Sequence, residues 1–586
     1  MKKFKNKFKF LKNGYFWIFI GIFLAGAFLR AYNFSPWLHF ELDQSRDATL
    51  VGEAVENGAG NLPLLGPRAA GTFLRLGPAF YYIEYVSALV FGNSPSGMAM
   101  AILIFSLLSI PAFYLLLRRY FSNKITLVLL MVFSVSTFMV VYSRFAWNPN
   151  LLPFFSIMLL WTLLKSTDAE EGKRMGYWLL ACAFFFGVLA QLHFLALIIF
   201  GATAVLFLSY KRPKIKPIFW VGSVLIILFL HLPMVINEAK TQGQNSKLFI
   251  EAITDKSDSK KSYTLVEKGV RNVSENILKY WIIISGSQKA EIPELRMDGE
   301  TGKYDIRCDK ICRDNLHKGV LASGFFFLGI IFLVARIFLE KIPSKKDFLV
   351  SIAFLLAISL GVFTPLAFDM SPRFFLIVAP LPFVFLGLII DGVGKFLRIK
   401  NLAWALGAVL AAFSLYFTIG YLSQLDKAIS DQFSIGSDRI LKQKTRITLE
   451  QQEAITDYME SFYKKNNYAV FYHGQSEFHR AFAYLLDKRK IPRDGISKKD
   501  ICRQGNYFLI IRTQSDIKKY DSYFEMFDLI EGQQFGTLTI FHLSPKPAII
   551  NCERPDESKF RNYKNEGGAV AKRFIWEEIF EEESEE

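Results

Sequence analysis

The sequence predicts a polytopic α-helical membrane protein carrying a small α/β domain at its C-terminal end. Three observations predict it. Of the 586 residues, 52% are hydrophobic and 58 are Phe, with a mean hydropathy of +0.25, too apolar for an ordinary soluble domain. The apolar residues collect in runs near the roughly 20 residues that cross a hydrocarbon core. Lys and Arg fall in every second link between those runs, which is the pattern of cytoplasmic loops. A net charge of +16 raises the question of nucleic acid. Charge confined to short links between apolar runs excludes a continuous binding stripe.

Taken in order, the chain opens on the basic stretch MKKFKNKFKFLKNGY. The run after it lacks a small-residue cleavage site, so it is expected to stay as an anchor with the N-terminus inside. About eleven spans follow from length and apolarity. They lie near Tyr15–Tyr32, Met98–Leu117, Ile125–Tyr142, Leu151–Leu164, Gly176–Leu192, Phe194–Tyr210, Ile218–Ile236, Val320–Leu339, Phe348–Phe368, Phe374–Ile390 and Leu402–Leu422. The inside links hold Lys2 to Lys12, then Arg118, Arg119 and Lys124, then Lys165, Lys173 and Arg174. Lys211 to Lys216, Arg336 to Lys346 and Lys395 to Lys400 complete them. The alternation puts everything after Ser423 outside, in a multi-pass protein of the plasma (inner) membrane.

The outer links are of another kind. The first, 34–95, is polar and amphipathic, and 237–318, about 80 residues, is long enough to be a lid or a substrate loop. Residues 1–423 read as the membrane domain and 424–560 as an extracytoplasmic α/β domain. In the latter, helices Thr448–Lys464 and Glu477–Asp487 alternate with strands Tyr468–Tyr472, Tyr507–Arg512, Phe524–Ile530 and Gly536–Leu543. Residues 561–586, ending WEEIFEEESEE, read as a loose acidic tail. Cys182 falls in a span, whereas Cys308 with Cys312 and Cys502 with Cys552 fall in outer regions, where such pairs can oxidise. Metal binding by Cys308 and Cys312 would need a second ligand pair that the sequence does not show.

The stretch Phe34–Asn57, FSPWLHFELDQSRDATLVGEAVEN, concentrates charge just beyond the first span. Asp43 is expected to N-cap a helix with Ala48, Val51 and Val55 on its apolar stripe, stopped by Gly58 and Gly60. Most outer-loop acids are merely solvated. Asp43 stands apart because Trp37, Leu38, Phe40 and Leu42 frame it and Arg46 follows three residues on. A carboxylate beside low-dielectric walls can serve as a general base. Glu41 and Asp47 are the alternative catalytic acids, Asp47 lying one turn further on the same face. Glu84 is a weaker candidate, expected to pack on Arg75.

The pattern Asp43-Gln44-Ser45-Arg46-Asp47-Ala48 resembles the acidic motif of the GT-C glycosyltransferases, in the branch of dolichyl-phosphate-mannose protein mannosyltransferases and aminoarabinose transferases. Asp43, Arg46 and Ala48 match the motif, and Gln44 stands where that group has a second acid. Gly77-Pro78 with Tyr81-Tyr82, Ser143-Arg144 through Trp147-Asn148-Pro149, Gln191 to Phe194, and Pro372-Arg373-Phe374-Phe375 resemble its later segments. The resemblance covers roughly Tyr15 to Leu422. It implies a GT-C-like membrane fold and a sugar donor carried on a polyprenyl phosphate, and it leaves a divalent metal cofactor open.

On that reading Asp43 takes a proton from the acceptor hydroxyl or amine, of protein, lipid or glycan, and a single displacement inverts the sugar. The phosphate leaving group needs positive charge rather than an acid, and arginine forks suit its oxygens. Arg46, Arg75, Arg144 and Arg373 are the candidates, against the simpler role of interfacial arginines. Tyr81, Tyr82, Trp147, Asn148 and His193 are candidates for contacting sugar or lipid, although an aromatic belt would place the aromatics there without function and a buried, hydrogen-bonded imidazole would explain His193. Two other classes compete. A flippase for lipid-linked sugars would be expected to hold charge at mid-membrane and to show repeats, which the sequence lacks. A polysaccharide polymerase or oligosaccharide ligase would suit the long loop 237–318.

Overall fold

The computed structural model describes residues 14–69, 72–254, 263–298, 301–399, 401–497, 500–560 and 570–582. Among them nine helices are long and apolar enough to cross a membrane, from Gly14–Ala31 to Leu402–Ser430. Their outward faces keep residues such as Val205, Phe229, Phe327 and Tyr416 exposed, as a lipid-facing surface requires. The protein is a multi-pass membrane protein.

Three of the expected spans differ in detail. Ile125–Tyr142 is two helices, Asn123–Val135 and Thr137–Val141, because Ser136 adopts extended backbone (ψ 120°) and caps the second from its side chain. Leu152–Ser166, at 15 residues, is short of a full crossing. Phe374–Ile390 begins as a 3-10 turn, Pro372–Leu376, and becomes helical only over Pro380–Leu397, where Pro380 and Pro382 stand in the first turn that tolerates them. The basic links meet at one end of the bundle. Arg119 pairs with Asp168 at 2.6 Å, Lys211 with Asp347 at 2.6 Å and Arg336 with Asp391 at 2.9 Å. Lys2 to Lys12 lie outside the described residues.

The C-terminal unit is a five-stranded mixed sheet in the order β4-β3-β5-β7-β6. β3 (Val470–Gly474), β4 (Arg493–Gly495) and β5 (Asn506–Arg512) are parallel, while β6 (Phe527–Phe535) and β7 (Leu538–Pro545) form an antiparallel hairpin. β1 (Glu294–Met297) and β2 (Tyr304–Arg307) make a separate hairpin in the long loop. The expected strand Phe524–Ile530 is half helix, Asp521–Met526, before β6 begins. β4, three residues long, escapes any periodicity argument. Both cysteine pairs expected outside are disulfides, Cys308–Cys312 and Cys502–Cys552, and Cys182 is free and buried.

Two connections bring this unit onto the membrane domain. The helix Leu449–Asn466 starts against the chain after the first span: the Leu449 and Glu450 amides donate to the Leu38 and Pro36 carbonyls at 3.0 Å each, and Gln452 Nε2 donates to Phe40 O at 2.8 Å. The end of the chain is not loose where it is described. The Leu64 amide donates to Phe574 O, Asn237 brackets the strip through Lys572 O and the Phe574 amide, and Trp576 opens a helix to Glu582. Residues 561–569 and 583–586 of the expected tail lie outside the described residues.

Candidate active site

Asp43 sits in the first turn of Leu42–Asn57, not at its N-cap. Glu41 holds the cap position, and its amide donates to Gln44 Oε1 at 3.1 Å. Gln44, where an acid would be expected, thus closes the helix start. Asp43 is left facing a cleft of about 170 Å³ lined by His39, Glu41, Tyr142, Phe145, Trp147 and the turn at Ser371–Pro372. Each of its oxygens has one donor. Arg46 Nη1 donates to Oδ1 at 3.0 Å and Trp147 Nε1 to Oδ2 at 3.2 Å. The side chain keeps 39% of its exposure, so lone pairs remain for a substrate proton.

Trp147 also carries the cation. The Arg373 guanidinium stands 4.9 Å above its ring centroid and 5.8 Å from Phe374, a cation–π geometry. Among the described residues Arg373 makes no side-chain hydrogen bond and no ion pair, and desolvation lowers its pKa, opposed by the Asp43 charge. Trp147 is itself held flat against Phe145 and Tyr142, and Tyr142 donates to Ile440 O at 2.6 Å.

The other candidates have structural partners. Asp47 is 1% exposed and accepts from Arg46 and, at 3.0 Å, from Tyr81 Oη. The bond from Arg46 Nε, at 2.8 Å, orients that guanidinium. Burial is the main cause that lifts its carboxyl to about 6, with Arg46 opposing and Asp43 adding to the rise. Glu41 accepts from Gln443 at 2.9 Å. Glu84 is buried near the Asp47–Arg46 pair rather than packed on Arg75. Arg75 donates to Ala571 O on the C-terminal strip. Arg144 donates to four carbonyls, of Leu29, Arg30, Tyr32 and Asn33, at 2.8 to 3.1 Å. The Leu29 and Arg30 carbonyls lie in the last turn of Gly14–Ala31 and the Tyr32 and Asn33 carbonyls in the turn after it, so Arg144 ties the end of the first span to the chain that follows. Tyr82 bonds Pro63 O and receives Trp576. Asn148 donates to Leu192 O. His193 caps the helix Phe194–Lys211 through the Leu195 amide.

The residues around Asp43 do not fit a divalent cation. Both carboxylate oxygens already accept from N–H groups, a guanidinium lies beside them, and among the described residues no three His, Cys, Asp or Glu side chains converge. Sequence reasoning missed His39 and Tyr142, and also the linker Ile440–Lys442, which reaches the cleft from nearly 400 positions away without any short motif.

The Asp43 carboxylate and the Arg373 guanidinium thus share one aromatic platform, the Trp147 ring. Residues 76–236 match the family model described as dolichyl-phosphate-mannose-protein mannosyltransferase. Over that stretch, less than a third of the chain, the sequence is similar to that family. A search of curated proteins finds no match. Among solved structures, ArnT from Cupriavidus metallidurans bound to undecaprenyl phosphate is similar at 11% identity and TM-score 0.46, over 92% of this chain and 99% of that one. The oligosaccharyltransferase AglB from Archaeoglobus fulgidus, in complex with an inhibitory peptide and a dolichol-phosphate, is similar at 12% identity and TM-score 0.46, over 92% and 75%.

Proposed function

We propose that the protein transfers a sugar from a polyprenyl-phosphate donor to an acceptor hydroxyl or amine, with inversion, at the outer face of the plasma (inner) membrane. In this orientation the N-terminus is cytoplasmic and residues 424–560 are extracytoplasmic. The acceptor heteroatom bonds the anomeric carbon and gives its proton to Asp43. The anomeric C–O bond breaks, and its electron pair leaves on the polyprenyl phosphate. Arg373 offsets that charge, Arg46 and Trp147 aim the carboxylate, and Asp47 with Tyr81 aims Arg46. The observation that carries this reading is Trp147, which donates to Asp43 with its indole edge and presents its face to Arg373.

Asp43→Asn is expected to insert and fold normally while losing about 10²- to 10⁴-fold of transfer from a synthetic polyprenyl-phosphate sugar. Arg373→Ala is expected to weaken binding of the donor and leave acceptor binding alone. Undiminished turnover by Asp43→Asn removes this carboxylate from the reaction.

A further inference from the structure

Behind the Asp43 cleft lies a second one of about 330 Å³, between the helix Leu42–Asn57, the helix Ser476–Lys488 and Arg573 of the C-terminal strip. Arg46 lines it and also touches Asp43. Six cationic side chains face this space against three carboxylates, Glu53, Glu56 and Asp487. Two of the carboxylates are already neutralised, Glu56 by Lys488 at 2.6 Å and Asp487 by Arg493 at 2.5 Å. Arg480, Lys490 and Arg573 make no side-chain hydrogen bond and no ion pair among the described residues. Arg573 Nη1 is buried without a partner, its guanidinium 5.9 Å from the Tyr81 ring. A buried guanidinium N–H without an acceptor leaves its desolvation uncompensated. With Arg480 half-buried beside it and Lys490 at the exposed rim, three cations around one polar hollow call for an oxyanion.

We propose that this cleft holds the anionic end of the acceptor, a phosphate or carboxylate group, and so presents the acceptor nucleophile past Arg46 to Asp43. This rests on the function proposed above and adds that the acceptor is acidic. The cleft's position explains the assignment. It is walled by the helix Ser476–Lys488 and by Arg573, whereas the Asp43 cleft is walled chiefly by the turns at Tyr142–Trp147 and Ser371–Pro372 between spans, with the linker Ile440–Lys442 closing one side.

The test uses the full protein in zwitterionic nanodiscs with inorganic phosphate as probe, followed by titration calorimetry. Arg480→Gln with Arg573→Gln should weaken phosphate binding about tenfold or more and leave polyprenyl-phosphate affinity unchanged. Lys490→Gln, on an exposed turn, should weaken phosphate about twofold to fivefold without risk to the fold. Phosphatidate in the disc that competes with phosphate in the wild type alone would make the group a lipid headgroup. Absence of competition would make it a soluble oxyanion, and both results uphold the cleft. Phosphate affinity equal in all variants overturns the proposal. So does an equal loss of polyprenyl-phosphate affinity, which would assign the cleft to the donor. Asp43→Asn should bind phosphate normally, so a failure of the catalytic assignment is seen separately in the transfer assay.

Discussion

Trp147 is the residue on which the site turns, because one side chain links the acid to the cation. Trp147→Phe keeps the platform and deletes the N–H. Transfer is expected to fall about tenfold, a loss near 1.4 kcal/mol for one hydrogen bond to a charged group, with donor affinity nearly intact. Trp147→Ala should lower donor affinity as well, since Arg373 then loses its ring; equilibrium binding separates the two. Asp47 gives the site a pH dependence. Its carboxyl titrates near 6 because burial opposes the charged form more than Arg46 and Tyr81 favour it. As pH falls through 6 it takes up a proton, its hold on Arg46 weakens, and transfer should drop. Asp47→Asn fixes the neutral state, so its activity should be low and this step should vanish from the rate profile.

At the scale of elements, Arg144 and Gly77 show how the spans are joined. The sequence makes Arg144 a phosphate candidate; in the structure its fork donates to four carbonyls, two in the last turn of the first span and two in the turn after it. Arg144→Ala should destabilise the protein by at least about 3 kcal/mol, measured by the midpoint of thermal unfolding in detergent. Arg144→Lys should rescue little of it, because a point cation cannot bridge four acceptors. Gly77 is required by close approach, since a Cβ there would stand 2.3 Å from the Gln191 side chain. Gln191 in turn donates to Leu230 O and accepts from the Ala79 amide, which ties the first outer link to two spans.

For the whole molecule, the alternation of basic and polar links makes a labelling prediction. A cysteine near Lys345 should be shielded from impermeant thiol reagents in intact cells, and one near Ser515 should react. The ion pairs among Arg119, Asp168, Lys211 and Asp347 already place several basic links side by side. The spans, the outer links and most of the C-terminal elements were legible in the sequence because length, apolarity and side-chain period act over neighbouring residues. The break at Ser136 and the three-residue β4 were not, since partners distant in sequence set them. The candidate site was legible in part. Asp43 and Arg373 each sit in a short recognisable segment, and so do Asp47, Arg75 and Arg144, whose side chains bond to the folded chain itself.

By itself the sequence determined that this chain crosses a membrane many times, that its basic links alternate with polar ones, and that an acid follows the first span. These properties are local or additive along the chain. Only the tertiary structure decided that Arg373 has no hydrogen-bond or ion-pair partner among the described residues and that Arg573 of the C-terminal strip returns to line a cationic cleft. The physical reason is hydrogen-bond satisfaction: a guanidinium is free for substrate only where no carbonyl or carboxylate of the folded chain has reached it first, and that depends on residues hundreds of positions apart.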